Sequence, residues 1–154
     1  MLKLNKKTEY ALMALQYMSQ RPLDYRSSAR EIAQSGNIPD VLLAKVLQSL
    51  KRASILSSCQ GSLGGYYLAR NLSDVPFLEL LEVFEDSTSL VDCMFEVEPH
   101  CSQYDLCGIR SPLKRLNDLL RKQLQTWSVN DILHFDRCPT CPGTIQPLSD
   151  GQRE

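Results

Sequence analysis

The feature that most constrains the fold is a glycine-rich turn between two short, mostly apolar segments. Residues 61–65 hold three glycines, and that density permits positive φ and a tight hairpin. The flanking runs over 55–58 and 66–69 predict two short strands. A glycine-rich hairpin alone is a weak signal, so its meaning depends on the segments that precede it.

Two amphipathic segments precede the hairpin, and each carries a helix-start signal. Ser28 caps the first, with Glu31 placed to complete a capping box. Pro39 begins the second, which runs to about Ala53. The second segment has one apolar stripe, formed by Leu43, Val46, Leu47 and Leu50. A helix, a short turn, a second helix and a hairpin in this order are typical of a winged helix-turn-helix, whose second helix enters the major groove of DNA.

The outer face of the second helix is therefore the predicted DNA-reading surface. Lys45, Gln48 and Lys51 should face the groove because the apolar stripe faces the core. Further residues predicted at this interface, on the helix and in the wing turn, are Val41, Ala44 and Ser62. Basic residues expected mostly to contact phosphates are Lys3, Lys6, Lys7 and Arg52.

Charge is distributed unevenly along the chain, although the net charge is only −1. Residues 1–72 hold ten Lys and Arg against four Asp and Glu, which is +6. Residues 73–154 hold seven against fourteen, which is −7. A basic front half indicates a polyanionic partner, and chance scatter of surface charge is the alternative.

Two further helices flank this unit. The first is predicted over Thr8 to Gln20, with an apolar stripe formed by Tyr10, Leu12, Met13, Ala14, Leu15 and Tyr17. Another starts near Pro76, with a buried stripe formed by Phe77, Leu80, Leu81 and Phe84. The acidic residues of that helix are expected to form a solvated surface, and they are Glu79, Glu82, Glu85 and Asp86.

A long helix begins at Ser111-Pro112. Its leucine-rich stripe is formed by Leu113, Leu116, Leu120, Leu124 and Trp127. A small winged-helix domain offers little else to cover this stripe, so a contact between two copies is predicted; packing against its own domain is the alternative. Ser128 and Asp131 begin a last short turn.

The predicted fold is mostly α: a winged helix-turn-helix domain with a small β-hairpin wing, plus a long C-terminal dimerisation helix. The predicted boundaries are 1–86 for the DNA-binding domain with its supporting helix, 87–110 for a cysteine loop, 111–135 for the dimerisation helix and 136–154 for a flexible tail.

Composition and motifs argue against several other classes. The apolar fraction of 43% and charged fraction of 23% are typical of a soluble globular chain. No apolar run approaches the roughly 20 residues of a membrane helix, and the N-terminal residues do not form a signal peptide, so we expect no membrane and a cytoplasmic location. Nucleotide-binding and hydrolase motifs are absent, so no enzyme activity is predicted.

The six cysteines indicate metal or redox chemistry, because a reducing cytoplasm disfavours disulfides. Seven residues separate Cys93 from Cys101 and five separate Cys101 from Cys107, wider than the usual zinc pairs. Iron–sulfur clusters take thiolates from such loops, and three cysteines leave one position unfilled. Cys138 and Cys141 form a CxxC pair near the end.

Other interpretations of the cysteines remain open. They are three unligated thiols, a winged-helix regulator that binds zinc or senses thiol oxidation, and an iron–sulfur electron carrier or CxxC oxidoreductase. The wing and the basic helix argue against the last, because neither serves electron transfer.

The chain resembles the Rrf-two family of bacterial winged-helix transcription regulators. The resemblance covers roughly residues 2–133 and is carried by 4–12, 53–58 and 61–70. The three loop cysteines match the cluster-binding branch, which holds the IscR-like and NsrR-like regulators. The resemblance implies a homodimer crossed by its long helices, a double-stranded DNA operator, and DNA binding controlled by a 2Fe–2S or 4Fe–4S cluster on Cys93, Cys101 and Cys107.

The chain departs from the IscR-like pattern. Arg110 stands where IscR-like proteins place a histidine, and Gln60 replaces the wing arginine sent into the minor groove. Val41, Ala44 and Lys45 stand at base-reading positions, which implies a different operator. In the nitric-oxide-sensing branch a carboxylate on the first helix reaches the partner's cluster, and Glu9 holds that position. Water, a small thiol, or Cys138 or Cys141 are the alternative fourth ligands.

Overall fold

The computed structural model describes residues 3–22, 25–61, 64–91 and 101–134. The predictions for Ser62, Cys93, Cys138, Cys141 and the tail over 136–154 lie outside these residues. The helices are α1 (Lys6–Ser19), α2 (Ala29–Gly36), α3 (Asp40–Arg52), α4 (Phe77–Phe84), α5 (Arg110–Thr126) and α6 (Val129–Leu133). The strands are β1 (Leu56–Cys59) and β2 (Gly65–Leu68), and a 3-10 turn spans Leu72–Asp74. The mostly α winged-helix fold is confirmed.

One apolar core is shared by α1, α2, α3, α4 and α6. The predicted stripe of α3 is buried as expected: Leu43, Val46, Leu47 and Leu50. The predicted stripe of α4 is buried too: Phe77, Leu80, Leu81 and Phe84. The helix starts follow local capping chemistry, since Ser28 and Glu31 form the predicted capping box at α2. The Asn5 side chain caps α1 by accepting from the Lys7 N–H, at 2.6 Å.

The hairpin is antiparallel, with Leu56 opposite Leu68 and Cys59 opposite Gly65. Strand β1 begins and ends one residue later than predicted, because Ile55 lies before it in the core. Strand β2 begins and ends one residue earlier than predicted. Tyr66 exchanges two backbone hydrogen bonds with Ser27, at 3.0 and 2.8 Å. The hairpin is therefore attached to the segment just before α2.

The buried face of α1 differs from the predicted stripe. Its buried residues are Thr8, Ala11, Ala14, Leu15 and Met18, whereas Met13 is exposed. Met13 lies about 200° around the helix from Ala11, so a helix that faces the core with Ala11 turns Met13 outward. The helix also begins two residues earlier than predicted and ends one residue earlier.

The acidic face of α4 is not simply solvated, which corrects the prediction. Glu79 pairs with Arg70 at 2.6 Å, and the charge-assisted hydrogen bond raises the pKa of the Arg70 guanidinium. Glu82 pairs with Arg121 of α5 at 2.7 Å. Glu85 accepts hydrogen bonds from the beginning of α1. Three of the four acids therefore hold other elements in place, and Asp86 stays exposed.

The C-terminal end of α5 returns the chain to the core. The Phe77 N–H donates to the carbonyl oxygen of Trp127 at 2.7 Å, and the Val129 N–H donates to that of Val75 at 2.8 Å. Val129 is fully buried, and α6 begins with a capping box between Ser128 and Asp131. None of the helices in the described ranges is long and apolar enough to cross a membrane.

Candidate nucleic-acid interface and cysteine loop

The outer face of α3 is polar and accessible. Lys45, Gln48, Lys51 and Arg52 are exposed, Val41 is 70% exposed and Ala44 is half-buried. These residues lie opposite a stripe in which no side chain is more than 1% exposed. One side of α3 is therefore fixed by the core, and the other presents two lysines, an arginine and an amide.

The end of α3 is connected to the wing. The Lys51 ammonium donates to the Ser58 hydroxyl oxygen of β1 at 2.7 Å. Lys51 and Arg52 lie in the last turn of α3, where cations interact favourably with the helix dipole. Gln60 is exposed just after β1. The predicted reading helix and the wing thus form one surface.

The predicted phosphate contacts at the N-terminal end are accessible. Lys3, Lys6 and Lys7 are exposed. Lys6 pairs with Glu9 one turn along α1, and the hydrogen bond and charge of Glu9 raise the pKa of Lys6. Glu9 is half-exposed. Within the described chain, Glu9 therefore has a cationic partner on its own helix.

A polar cluster that the sequence pattern does not predict joins α1 to α2. The phenol O–H groups of Tyr17 and Tyr25 each donate to Oε1 of Glu31 at 2.6 Å. Arg21 donates to the Tyr17 oxygen at 2.9 Å and lies over the Tyr17 ring, 4.5 Å from its centroid. Of these contacts, only the one between Tyr17 and Arg21 has a spacing, four residues, that a helical sequence pattern predicts. The cluster fixes the first helix of the helix-turn-helix against α1.

The Glu31 cluster predicts a pH-dependent contribution to stability. The two phenol hydrogen bonds lower the pKa of Glu31, so its contribution is present above the ordinary carboxyl pKa and is lost as pH falls through the lowered value. Glu31→Gln should lower the free energy of unfolding at pH 7 by roughly 1–2 kcal/mol, discounted for partial exposure. Urea unfolding at pH 7 and pH 3 measures this difference, which should shrink at pH 3. An equal difference at both pH values contradicts the prediction, and Asp86→Asn is the control.

The cysteine loop presents free thiols. Cys101 is exposed and Cys107 is half-buried, and neither forms a disulfide. A turn at Cys101 is closed by a hydrogen bond from the Tyr104 N–H at 3.0 Å. The Arg110 guanidinium stacks over the Tyr104 ring, 3.7 Å from its centroid, at the beginning of α5.

The donor chemistry of this loop fits an iron–sulfur cluster, because accessible, unpaired thiols are the ligands that such clusters use. Cys93 lies outside the described residues. Within the described ranges, no three His, Cys, Asp or Glu side chains lie close enough together to hold a metal ion.

A helix-turn-helix with an exposed basic second helix and an attached β-hairpin defines the class of winged-helix DNA-binding proteins. The model of the Rrf2 family (the Rrf-two family above), described as an iron-dependent transcriptional regulator, matches residues 4–134. The chain belongs to the Rrf2 family of transcription regulators.

Individual relatives agree with this membership. The chain is 29% identical to protein aau3 of Rhizobium meliloti, over 86% of this chain and 85% of the relative. It is 25% identical to the HTH-type transcriptional regulator NsrR of Halalkalibacterium halodurans, over 86% of this chain and 90% of that relative. The structure of CymR, the global cysteine regulator of B. subtilis, superposes with a TM-score of 0.67 at 22% identity, over 88% of this chain and 98% of that one. That last similarity establishes the fold alone.

Proposed function

We propose that this Rrf2 regulator acts in the cytoplasm, binds operator DNA as a homodimer, and changes its DNA binding with the state of an iron–sulfur cluster. The observation that carries the proposal is the two-sided character of α3. Its apolar side is buried in the core, its other side exposes Lys45 and Gln48, and its last turn contacts the wing through Lys51 and Ser58.

Major-groove reading by α3 needs a rigid helix with free polar side chains. The buried stripe supplies the rigidity, and the Lys51–Ser58 hydrogen bond keeps the wing beside the helix. Lysine binds phosphates as a point charge or reaches guanine, and a glutamine amide pairs with adenine in the major groove. The exposed aliphatic side chain of Val41 suits contact with a thymine methyl group.

We expect Arg52→Ala and Gln48→Ala to act differently on DNA binding. Arg52→Ala, at a predicted phosphate contact, should weaken binding to all sequences and reduce the salt dependence by about one charge. Gln48→Ala should change sequence preference, at a cost of roughly 1–3 kcal/mol for the preferred base. Operator selection followed by fluorescence anisotropy at several salt concentrations measures both effects. Lys114→Ala, on α5, is the control, and unchanged affinity and preference in both variants would refute this placement of α3.

The cluster proposal rests on Cys101 and Cys107, with Cys93 as the third ligand. Two free thiols in one short loop supply soft donors. A relative bears the name NsrR, and the family description includes iron dependence. A bound cluster of 2Fe–2S or 4Fe–4S type supplies a centre sensitive to oxidants, iron supply or nitric oxide.

Glu9 is our candidate for the fourth ligand, supplied to the partner's loop. A carboxylate is a hard ligand and is displaced more easily than a thiolate. Its ion pair with Lys6 holds the carboxylate at the first turn of α1, where it stays half-exposed. Binding to the partner's loop would require Glu9 to leave this exposed ion pair, which is a weak contact.

Anaerobic purification tests the cluster directly. We expect a visible absorption spectrum together with iron and acid-labile sulfide in stoichiometric amounts. Glu9→Ala should change the spectrum or shorten the cluster lifetime, whereas Cys138→Ser/Cys141→Ser should not. A changed spectrum only in the double serine variant moves the fourth ligand to the tail. Zinc without iron, or no metal, favours the alternative in which free thiols bind zinc or sense oxidation.

The dimer proposal rests on α5. Its described residues include a single buried one, Asn117, while Leu116, Leu119 and Leu120 are 48%, 59% and 38% exposed. Beside Leu120, an apolar groove of about 340 Å³ runs between α4, α5 and Leu4. Exposed leucines in such numbers on one helix mark an interaction site, and we assign it to a second copy of the chain.

A further inference from the structure

The beginning of α1 and the end of α4 are joined by the Glu85 carboxylate. The Asn5 N–H and the Thr8 hydroxyl both donate to its Oε1 atom, at 3.0 and 2.5 Å. In the same direction, the Asn5 amide nitrogen donates to the carbonyl oxygen of Phe84 at 2.7 Å. Thr8 is fully buried, so its hydroxyl depends on this acceptor.

Glu85 also begins segment 85–91, which contains the first five residues of the predicted cysteine loop, 87–91. The far end of this segment is held by α5. The Leu90 N–H donates to Oδ1 of the buried Asn117 at 3.0 Å, and the Arg121 guanidinium donates to the Thr88 hydroxyl. Segment 85–91 is therefore fixed to α1 at one end and to α5 at the other.

Helix α1 in turn packs on α3. Ala11, Ala14 and Leu15 of α1 are fully buried in the core that contains the α3 stripe. A close-packed core transmits a displacement of one helix to its neighbours. A shift of segment 85–91 that pulls on Glu85 must therefore move the first turn of α1 or break the hydrogen bonds to Asn5 and Thr8.

We propose that Glu85 is a positioning residue that couples the cysteine loop to the DNA-reading helix within a single subunit. The inference rests on the proposed function and adds to it a route that does not involve Glu9 or the partner. At the beginning of α1, Thr8 and Asn5 contact Glu85 through their hydrogen bonds. On α5, Asn117 holds the opposite end of the segment.

The test measures hydrogen exchange at the first turn of α1, where the Glu9 N–H donates to the Asn5 carbonyl oxygen. The protein carries Cys59→Ser, Cys138→Ser and Cys141→Ser, so that iodoacetamide alkylates only the thiols of the cysteine loop. Without further substitution, alkylation should change exchange over residues 5–12. In Glu85→Ala, that exchange should already be about tenfold faster, and it should no longer respond to alkylation.

Three further variants test whether the effect depends on the hydrogen bonds that Glu85 accepts. Glu85→Gln keeps an oxygen that accepts both hydrogen bonds and should restore the response. Asp86→Asn removes a neighbouring exposed charge and should behave like the unsubstituted protein. Thr8→Val removes one donor with the same branched shape and serves as a second variant if Glu85→Ala unfolds.

Two results overturn the coupling: an equal response to alkylation in Glu85→Ala, or no response in the protein that retains Glu85. Operator binding is measured separately on the same samples. If exchange behaves as expected while no variant selects an operator, the proposed function fails and the positioning role of Glu85 stands.

Discussion

Leu120→Asp is expected to convert the regulator from a dimer to a monomer. Leu120 is 38% exposed in the isolated subunit and lies beside Leu116 on the uncovered side of α5. In a two-fold dimer the substitution is present twice, so two carboxylates enter an apolar contact without partners. Truncating a leucine that the dimer contact buries to alanine costs roughly 2–5 kcal/mol, and replacing it with a charged side chain should cost more.

The consequence for DNA binding is equally large. One dimer reads two half-sites, so the monomer should bind a full operator at least about tenfold more weakly, which corresponds to about 1.4 kcal/mol. Light scattering at micromolar concentration and operator titration measure the two effects. Gln125→Asp adds the same charge on the opposite side of α5 and should leave the dimer intact. A Leu120→Asp protein that remains dimeric would exclude this side of α5 as the interface.

Gly65→Ala is expected to detach the wing from the helix-turn-helix. A Cβ atom at Gly65 would lie 2.8 Å from the carbonyl oxygen of Ser27 and 3.1 Å from its carbonyl carbon. Both are backbone atoms of the pair that Ser27 forms with Tyr66, so the strand must move and weaken those hydrogen bonds. The cost should be roughly 1–3 kcal/mol of stability.

Operator affinity should fall with stability, because the displaced wing can no longer lie beside α3. Thermal unfolding and operator titration measure the two losses. Gly108→Ala is the matched control, since no heavy atom lies within 4 Å of its added Cβ. If Gly65→Ala bound its operator as tightly as Gly108→Ala, the wing would not be part of the DNA interface.

The elements that the sequence predicted well are those with one dense apolar stripe. Leu43, Val46, Leu47 and Leu50 follow helical spacing after a proline start, and only one side of α3 is apolar enough to be buried. The predicted stripe of α1 is wrong at Met13, because apolar residues occupy more of the circumference of this helix than the core covers. Periodicity alone does not choose among them.

The polar contacts were missed for a different reason. Glu85 lies 77 residues from Thr8 and Glu82 lies 39 residues from Arg121, so no local pattern connects them. The exposed side of α3 could be predicted, because it is the complement of the buried stripe. The cluster ligands stay a prediction, since Cys93 lies outside the described residues and the others come from distant parts of the chain.

The return of α6 to the core has a consequence for operator architecture. Val129 and the Trp127 carbonyl fix the C-terminal end of α5 to the same unit that carries α3. In the proposed dimer, the place where two α5 helices cross therefore sets the distance between the two reading helices. Half-sites repeat at about 34–36 Å, and a slip of one helical turn is about 5.4 Å, more than one base-pair step of about 3.4 Å. In that dimer, the residues of α5 would determine half-site spacing, and those of α3 would determine which bases each half-site contains.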